Sequence, residues 1–306
     1  MYGALELGLI YAAMALGVYL TFKVLNFPDL TVDGSFTTGG ATAASLIIAG
    51  VNPFLATLAA IGAGLVAGFI TGLLHTKGGI DGLLAGILTM IGLWSINLRI
   101  MGAANLSLLR EDTVFTPLRE NMWLGTWVSI AILIAFVLVL KFLVDWFLTT
   151  DLGLAIQATG NNREMIRSLG VNTDNTTMLT LALSNGLVAL CGALIAQYQG
   201  FATSAWASAH PRRSRLGHPR AGDLRQPEHL HVQLGAILGS VIYRIIIFLA
   251  LRAGLNTDDM KLTTALLVIV ALLLPRWGFL KRIPSFGSRG NRAPAKLPPA
   301  PPTIRP

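Results

Sequence analysis

Eight apolar runs, most of them long enough to cross a lipid bilayer as a helix, constrain the fold of this chain more than any other feature. They lie near residues 3–22, 36–51, 53–74, 82–101, 125–148, 177–199, 234–252 and 261–280. A helical span needs about 20 mostly apolar residues, and a helix satisfies its own backbone hydrogen bonds in lipid. A mean hydropathy of +0.64, with 12% charged residues, also lies outside the range of ordinary soluble domains. The sequence therefore predicts an all-α, polytopic membrane bundle with about 8–9 transmembrane helices.

The segment 203–233 does not fit this pattern. It contains four of the five histidines, five arginines and three prolines. A charged side chain at the centre of a bilayer costs about 2.5 to 3.5 kcal/mol. The seven charged residues of the segment would therefore cost on the order of 20 kcal/mol together. As written, this segment cannot span a membrane.

The end of the chain supplies most of the net charge of +8. Residues 281–306 are rich in proline and basic residues, which predicts a disordered, basic, cytoplasmic tail after a transmembrane domain at 1–280. Nucleic-acid binding is not needed to explain this tail, because basic residues favour the cytoplasmic side of a membrane. With this tail and the basic segment 150–176 both inside the cell, one crossing is missing between residues 200 and 233.

A shifted reading frame would explain both the missing crossing and the unsuitable composition. One base restored before Thr203 permits the residues D-I-S-M-G-I-G, and the remaining frame then permits a mostly apolar run from His210 to Leu234. Three lost single bases would preserve the frame downstream. We therefore expect 203–233 to be frame-shifted, non-native sequence.

Two other interpretations of this segment remain open. Its four histidines could form a metal site, but their spacings of 8, 11 and 2 match no standard ligand pattern. A solvated loop is a better alternative, although it leaves the membrane topology uneven. The histidines in question are His210, His218, His229 and His231.

A polar break, N-F-P-D-L-T-V-D-G-S, follows the first span. Pro28 cannot donate a backbone hydrogen bond and disrupts a helix. Irregular backbone at membrane depth is tolerated only against protein or a water-filled cavity, and ionisable groups there are functional candidates. We expect a broken or re-entrant segment near 24–35 that lines a transport path. A short cytoplasmic turn, with Asp33 capping a helix that begins near Ser35, fits the same residues.

The polar segment 150–176 contains a short amphipathic pattern. Between Asn161 and Leu169, an apolar face is formed by Met165, Ile166 and Leu169. Glycines on both sides delimit this pattern. A helix that docks into another protein and an ordinary interfacial helix would both use such a face.

The run A-T-G-N-N-R-E-M-I-R-S-L-G-V-N in this segment resembles the coupling loop of ABC importer permeases of the branched-chain amino acid and ribose group. The break N-F-P-D-L-T-V-D-G-S is similar to the polar break that lines the translocation path in that family. The resemblance covers about residues 1–202 and 234–280, and it is greatest for the subgroup that serves tryptophan or tyrosine uptake. The written segment 203–233 departs from the family, whereas D-I-S-M-G-I-G resembles it.

The resemblance implies two sets of functional residues. The substrate path would include Asn26, Asp29, Asp33, Gly34 and Ser35. The ATPase coupling set would be Gly160, Asn161, Arg163, Glu164, Arg167, Gly170 and Asn172. In that family, ATP-driven movement at the coupling loop tilts the transmembrane helices.

The resemblance also implies a location and partners. The chain would be a multi-pass protein of the bacterial inner membrane, with a cytoplasmic ABC ATPase, an extracytoplasmic solute-binding protein and a second permease copy as partners. The binding protein would dock on outer loops that include 102–124. ATP would be held by the ATPase, because this chain has no Walker A motif. We expect no enzymatic activity, metal or cofactor on this chain.

An ion- or proton-coupled secondary transporter that works without an ATPase is the alternative function. A broken helix with an intramembrane Asp would suit such a protein as well. A non-transporting membrane scaffold fits less well, because it leaves the break unexplained. Among isolated polar residues, Arg244 could contact an anionic group or snorkel, and Asn185 could join helices or contact substrate.

Overall fold

The computed structural model describes residues 2–204, 206 and 227–252. The predicted span 261–280, the predicted tail and most of the segment 203–233 lie outside the described residues. The four histidines of the possible metal site either fall outside this part or, at 229 and 231, have only their backbone described.

The described chain forms ten α-helices and two short strands. The helices are α1 Tyr2–Tyr19, α2 Thr31–Ile48, α3 Pro53–Thr76, α4 Gly82–Met101, α5 Thr116–Glu120, α6 Trp127–Thr149, α7 Asp151–Asn161, α8 Arg163–Ser168, α9 Thr173–Gln199 and α10 Pro227–Arg252. The strands are β1 Asn105–Ser107 and β2 Phe201–Thr203. A π-helical turn, Leu20–Val24, extends α1.

Five helical segments in the described part are long and apolar enough to cross a membrane. They are Tyr2–Val24, Pro53–Thr76, Gly82–Met101, Trp127–Thr149 and Thr173–Gln199. Each coincides with one of the predicted spans, so a multi-pass helical membrane protein is confirmed. The total of about 8–9 spans stays a prediction.

Helix α9 is the centre of the bundle. Of the most apolar stretch of α9, 83% is buried inside the fold, whereas only 28% of the corresponding stretch of α4 is buried. Backbones approach α9 closely because glycines face it. A Cβ placed on Gly68 would lie 2.1 Å from the carbonyl oxygen of Leu181, and one on Gly64 would lie 2.5 Å from that of Asn185. Such small-residue contacts allow helices to pack tightly in lipid.

Gly64 and Gly68 of α3 thus pack within the chain, against the backbone of α9. Gly72 meets Met178 of α9 in the same way, whereas a Cβ placed on Gly62 would face open space, with no described atom within 4 Å. The side chain of Cys191 on α9 is completely buried, as is common for a free cysteine.

The two ends of the bundle differ. Helices α7 and α8 lie between the end of α6 and the start of α9, and we call this the α8 end. At the opposite end, β1 and β2 pair antiparallel, with Leu106 opposite Ala202; we call this the sheet end. The small sheet departs from the all-α prediction. It forms because α4 and α9 both stop at left-handed glycines, Gly102 and Gly200, which release two extended segments side by side.

Two predicted boundaries are wrong. Helix α2 begins at Thr31 rather than near residue 36, and α9 begins at Thr173 rather than 177. Residues 151–161, predicted as loop, form α7. In each case a side-chain oxygen caps a polar first turn that hydropathy does not detect.

Helix α10 runs antiparallel to α1. The buried side chain of Gln233 lies beside Tyr19, near the α8 end, and Ser240 donates to the carbonyl oxygen of Gly8 at 3.2 Å. Strand β2 ends at the sheet end, at Thr203. Helix α10 therefore begins at the opposite end of the bundle from the end of β2.

The packing of α3 on α9 predicts a position-dependent cost for one substitution. We expect Gly68→Ala to destabilise the folded chain by about 1–3 kcal/mol, because its methyl group collides with backbone that cannot move aside. Gly62→Ala meets open space and should be neutral or slightly stabilising, since Ala favours a helix. Thermal unfolding in detergent compares the two variants. Equal unfolding temperatures would contradict this packing.

Candidate functional site

The break after the first span is short and tightly closed. Helix α1 widens into the π-helical turn, and the amide of Phe27 donates to the carbonyl oxygen of Thr21 at 2.9 Å. Asn26 takes a left-handed conformation, with φ of 56°, which asparagine tolerates better than most residues. Its side chain is exposed. The irregular backbone therefore covers only residues 25–30, a shorter stretch than the predicted 24–35.

Asp29 lies at the centre of this break and is 2% exposed. One carboxylate oxygen accepts from the amide of Thr31 at 2.8 Å, at the start of α2. The other accepts from Nδ2 of Asn185 on α9 at 2.7 Å. The carboxylate thus caps one helix and holds a second, and Asn185 joins helices rather than standing free.

The remaining residues predicted for the path lie inside α2. Asp33 is in its first turn and half-buried, so it does not cap a helix that begins near Ser35. Gly34 is buried against α4, where a Cβ would lie 2.9 Å from Leu93. The hydroxyl of Ser35 is completely buried and has no hydrogen-bond partner in the described part.

Sequence reasoning missed a polar contact beside Asp29. The hydroxyls of Thr31 and Thr71 lie 2.8 Å apart, and both residues are completely buried. Asn97 on α4 is also fully buried, and its Oδ1 has no partner among the described residues. Threonine within an apolar helix gives no sequence pattern that marks such a contact. Polar groups of α3 and α9 therefore lie beside the break, and the buried Asn97 of α4 lies near Gly34 in α2.

The predicted coupling residues gather at the α8 end. Asn162, rather than Asn161, caps α8 by accepting from the amide of Met165 at 3.0 Å. Asn172 caps α9 by accepting from the amides of Asp174 and Asn175. Gly170 turns the chain between them with φ of +88°. Helix α8 is thus bounded by fixed turns on both sides.

Gly160, near the end of α7, touches the break. A Cβ at this position would lie 2.0 Å from the carbonyl oxygen of Val24, so no larger residue fits. This contact brings the last turn of α7 directly against the π-helical turn. The predicted coupling segment and the predicted path segment are therefore neighbours.

Arg163 faces inward from α8. Its Nη2 donates to Oγ1 of Thr177 on α9 at 3.0 Å, and its Nη1 lies 3.3 Å from Nε2 of His75 at the end of α3. The other ring nitrogen of His75 donates to the carbonyl oxygen of Ile80 at 2.8 Å. Because Nδ1 carries the proton in that bond, Nε2 is the acceptor for Arg163.

The other side of α8 faces outward. Met165 and Leu169 are 57% and 67% exposed, while Ile166 is buried. Glu164 is also exposed, and Arg167 pairs with Asp174 at 2.9 Å. The predicted apolar face is thus divided, with one residue anchored in the bundle and two on the surface.

A buried carboxylate at the sheet end was also missed by sequence reasoning. Glu6 is 1% exposed and accepts from the hydroxyls of Ser129 and Tyr198 and from the amide of Gly125. These bonds join α1 to the start of α6 and the end of α9. Arg244 has a different arrangement from the two considered for it: its guanidinium lies 4.0 Å from the centre of the Tyr11 ring.

The sequence is similar to a known protein family and to several transport proteins. The family described as the branched-chain amino acid transport system permease component matches residues 1–210. The tyrosine transport system permease protein of Clostridioides difficile (strain R20291) is 39% identical over 273 residues, which are 86% of this chain and 87% of that protein. The ribose import permease protein RbsC of Escherichia coli (strain K12) is 27% identical over 188 residues, 59% of this chain and 56% of that protein.

The galactofuranose transporter permease protein YtfT of Escherichia coli (strain K12) is 29% identical over 187 residues, 60% of this chain and 52% of that protein. No solved structure matches the chain. A family match over two thirds of the chain and a relative that aligns along most of both sequences lead to one conclusion. This chain belongs to the branched-chain amino acid transport system permease family, the membrane-spanning subunits of ABC importers.

Proposed function

We propose that this chain moves an amino acid inward across the bacterial inner membrane, and that α8 receives the movement of a cytoplasmic ATPase. One observation carries the proposal: a short helix with exposed apolar residues directly follows α7, whose Gly160 packs against the π-helical turn before the polar break. An amino acid is the preferred solute because the relative that aligns along nearly its whole length is named for tyrosine transport. ATP would be held entirely by the partner.

The α8 surface suits a protein groove. Two exposed apolar side chains stand beside charged residues, which is the pattern of an anchor with a polar rim. Capped turns on both sides would let the helix move as a unit. Residues Gly160, Asn161, Arg163, Glu164, Arg167, Gly170 and Asn172 are thus proposed to couple the two subunits.

The sheet end would then face outward, where a solute-binding protein docks. Five charged residues of the loop 102–124 are exposed there: Arg110, Glu111, Asp112, Arg119 and Glu120. The apolar outer faces of α3, α4 and α6 would contact lipid or a second permease copy. With the predicted span 261–280 following α10, this orientation would make the chain's C-terminus cytoplasmic.

The break is proposed to form one wall of the substrate path. Asn26 would contact water or solute, since its side chain is exposed. Asp29 would act indirectly, because both of its oxygens already accept hydrogen bonds from the protein. Asp33, Gly34 and Ser35 would contribute through the first turns of α2.

The frame-shift hypothesis for 203–233 has support from the fold and from the family match. Strand β2 ends at the sheet end and helix α10 begins at the α8 end, which requires a crossing between them. The written residues between them carry charges that oppose a crossing. The family match also stops at residue 210, within this segment.

Sequencing the coding DNA across residues 195–240 tests the frame-shift hypothesis. We expect three missing bases relative to a clean template, and a corrected gene should encode a further apolar span. The chain as written should insert poorly and transport nothing. Confirmed bases together with uptake at the rate of an intact relative would disprove the hypothesis.

Docking at α8 is tested by Leu169→Asp. A buried carboxylate without a partner is costly at an interface, so the amount of ATPase that co-purifies should fall about tenfold or more. Leu109→Asp is the matched control, because Leu109 is 71% exposed at the sheet end. If both variants retain the ATPase equally, α8 is not the docking site.

The role of Asp29 is tested by Asp29→Asn. The new amide group would face Nδ2 of Asn185, so two donors would oppose each other and one bond would be lost. We expect folding stability to fall by about 1–3 kcal/mol, seen as a lower unfolding temperature. An unchanged unfolding temperature with a raised KM for uptake would instead indicate direct contact with solute.

A further inference from the structure

We infer that His75 links the coupling helix to the break, so that movement of α8 changes the conformation of the substrate path. This inference rests on the proposed function, because it assigns a route for a movement that the ATPase would supply. His75 is not among the residues that the family resemblance implies. It stands at the end of α3, between α8 and residues 25–30.

The first contact of this route joins α8 to α3. Arg163 donates from Nη1 to Nε2 of His75 at 3.3 Å, and its Nη2 is bonded to Thr177. The imidazole cannot turn away freely, because its Nδ1 is bonded to the carbonyl oxygen of Ile80. A displacement of α8 would therefore pull on a ring that is held on both sides.

The second contact joins His75 to the break. The rings of His75 and Phe27 meet edge to face, with centroids 5.0 Å apart. Phe27 is 7% exposed, and its ring lies so close to α4 that a Cβ on Gly82 would be 2.5 Å away. The ring thus has little room to move without moving its own backbone.

The backbone of Phe27 closes the turn that contains Asn26. Its amide makes the hydrogen bond to Thr21 that ends the π-helical turn. Two residues later, Asp29 holds α2 and α9 together. A shift of the Phe27 ring would therefore alter the point at which α1, α2 and α9 meet.

A competing route exists and makes the inference testable. Gly160 presses directly on the carbonyl oxygen of Val24, so α7 could push on the π-helical turn without His75. The two routes predict different outcomes when His75 is changed. Only the route through His75 requires both a hydrogen-bond acceptor for Arg163 and an aromatic contact with Phe27.

The experiment measures the accessibility of the break in the assembled complex. Pro28 is exposed, and Cys191, the single cysteine, is completely buried. Pro28→Cys therefore gives a unique site for a membrane-impermeant maleimide.

The full chain is purified with its ATPase in nanodiscs, from the gene as written and from the frame-corrected gene. Labelling rates are compared without nucleotide and with ATP plus vanadate. Cys191 must stay unlabelled, which reports that the chain is folded.

We expect the labelling rate to change by about fivefold or more between the two nucleotide states, the lower end of common allosteric coupling. In the Pro28→Cys background, His75→Phe keeps an aromatic ring but removes the acceptor, and Phe27→Leu removes the ring contact. Both should abolish the change while the ATPase stays bound. His75→Gln keeps an acceptor for Arg163 but lacks the ring that meets Phe27, so it should abolish the change as well.

Thr76→Val is the matched control, because the hydroxyl of Thr76 bonds only to the carbonyl oxygen of Gly72 in its own helix. This variant should respond like its parent.

Three results would overturn the inference. A full response in His75→Phe would place the route at Gly160 and Val24. No response in the parent, with the ATPase bound and hydrolysing ATP, would mean that the break does not move, and it would leave the proposed function intact. Failure of the ATPase to co-purify with a folded, frame-corrected chain would refute the proposed function, and the inference with it.

Discussion

The break after the first span leaves the first amide of α2 without a backbone acceptor, and the carboxylate of Asp29 takes that acceptor's place. Within a membrane bundle, every amide outside a helix needs another acceptor, because lipid offers none. Asp29 accepts from the first amide of α2, and its second oxygen is fixed by Asn185 on the central helix. The positions of α1, α2 and α9 around the break follow from this one buried group. The chain can therefore be irregular at this point while the first amide of α2 keeps an acceptor.

The apolar spans were the most predictable part of the fold. Helix α4 has the predicted bounds, 82–101, because Asp81 caps its start and Gly102 ends it in a left-handed turn. The starts of α2 and α9 were misplaced because their first turns are polar. Hydropathy measures how apolar a segment is, whereas a cap determines where it becomes helical. Both misplaced starts have a side-chain oxygen that bonds the first free amides.

The site was predictable only as two separate segments. The family resemblance identifies two segments, near 26–35 and 160–172. The structure places these segments beside each other through the contact of Gly160 with Val24. The contacts that connect them were not found from the sequence. His75 sits in an apolar helix with no motif around it, and Asp29 and Asn185 are separated by 156 positions. Contacts of this kind depend on tertiary packing, which periodicity does not describe.

The small sheet has a mechanical consequence. It holds the ends of α4 and α9 together. The amide of Leu108 also donates to the carbonyl oxygen of Gly200 at 2.7 Å. Helix α9 has 27 residues and is therefore about 40 Å long. If α9 pivots about the small sheet, a tilt of about 5° would move the far end of this helix by about 3 to 4 Å. A helix of that length would turn a small rotation at the sheet end into a displacement as large as a hydrogen bond at the α8 end.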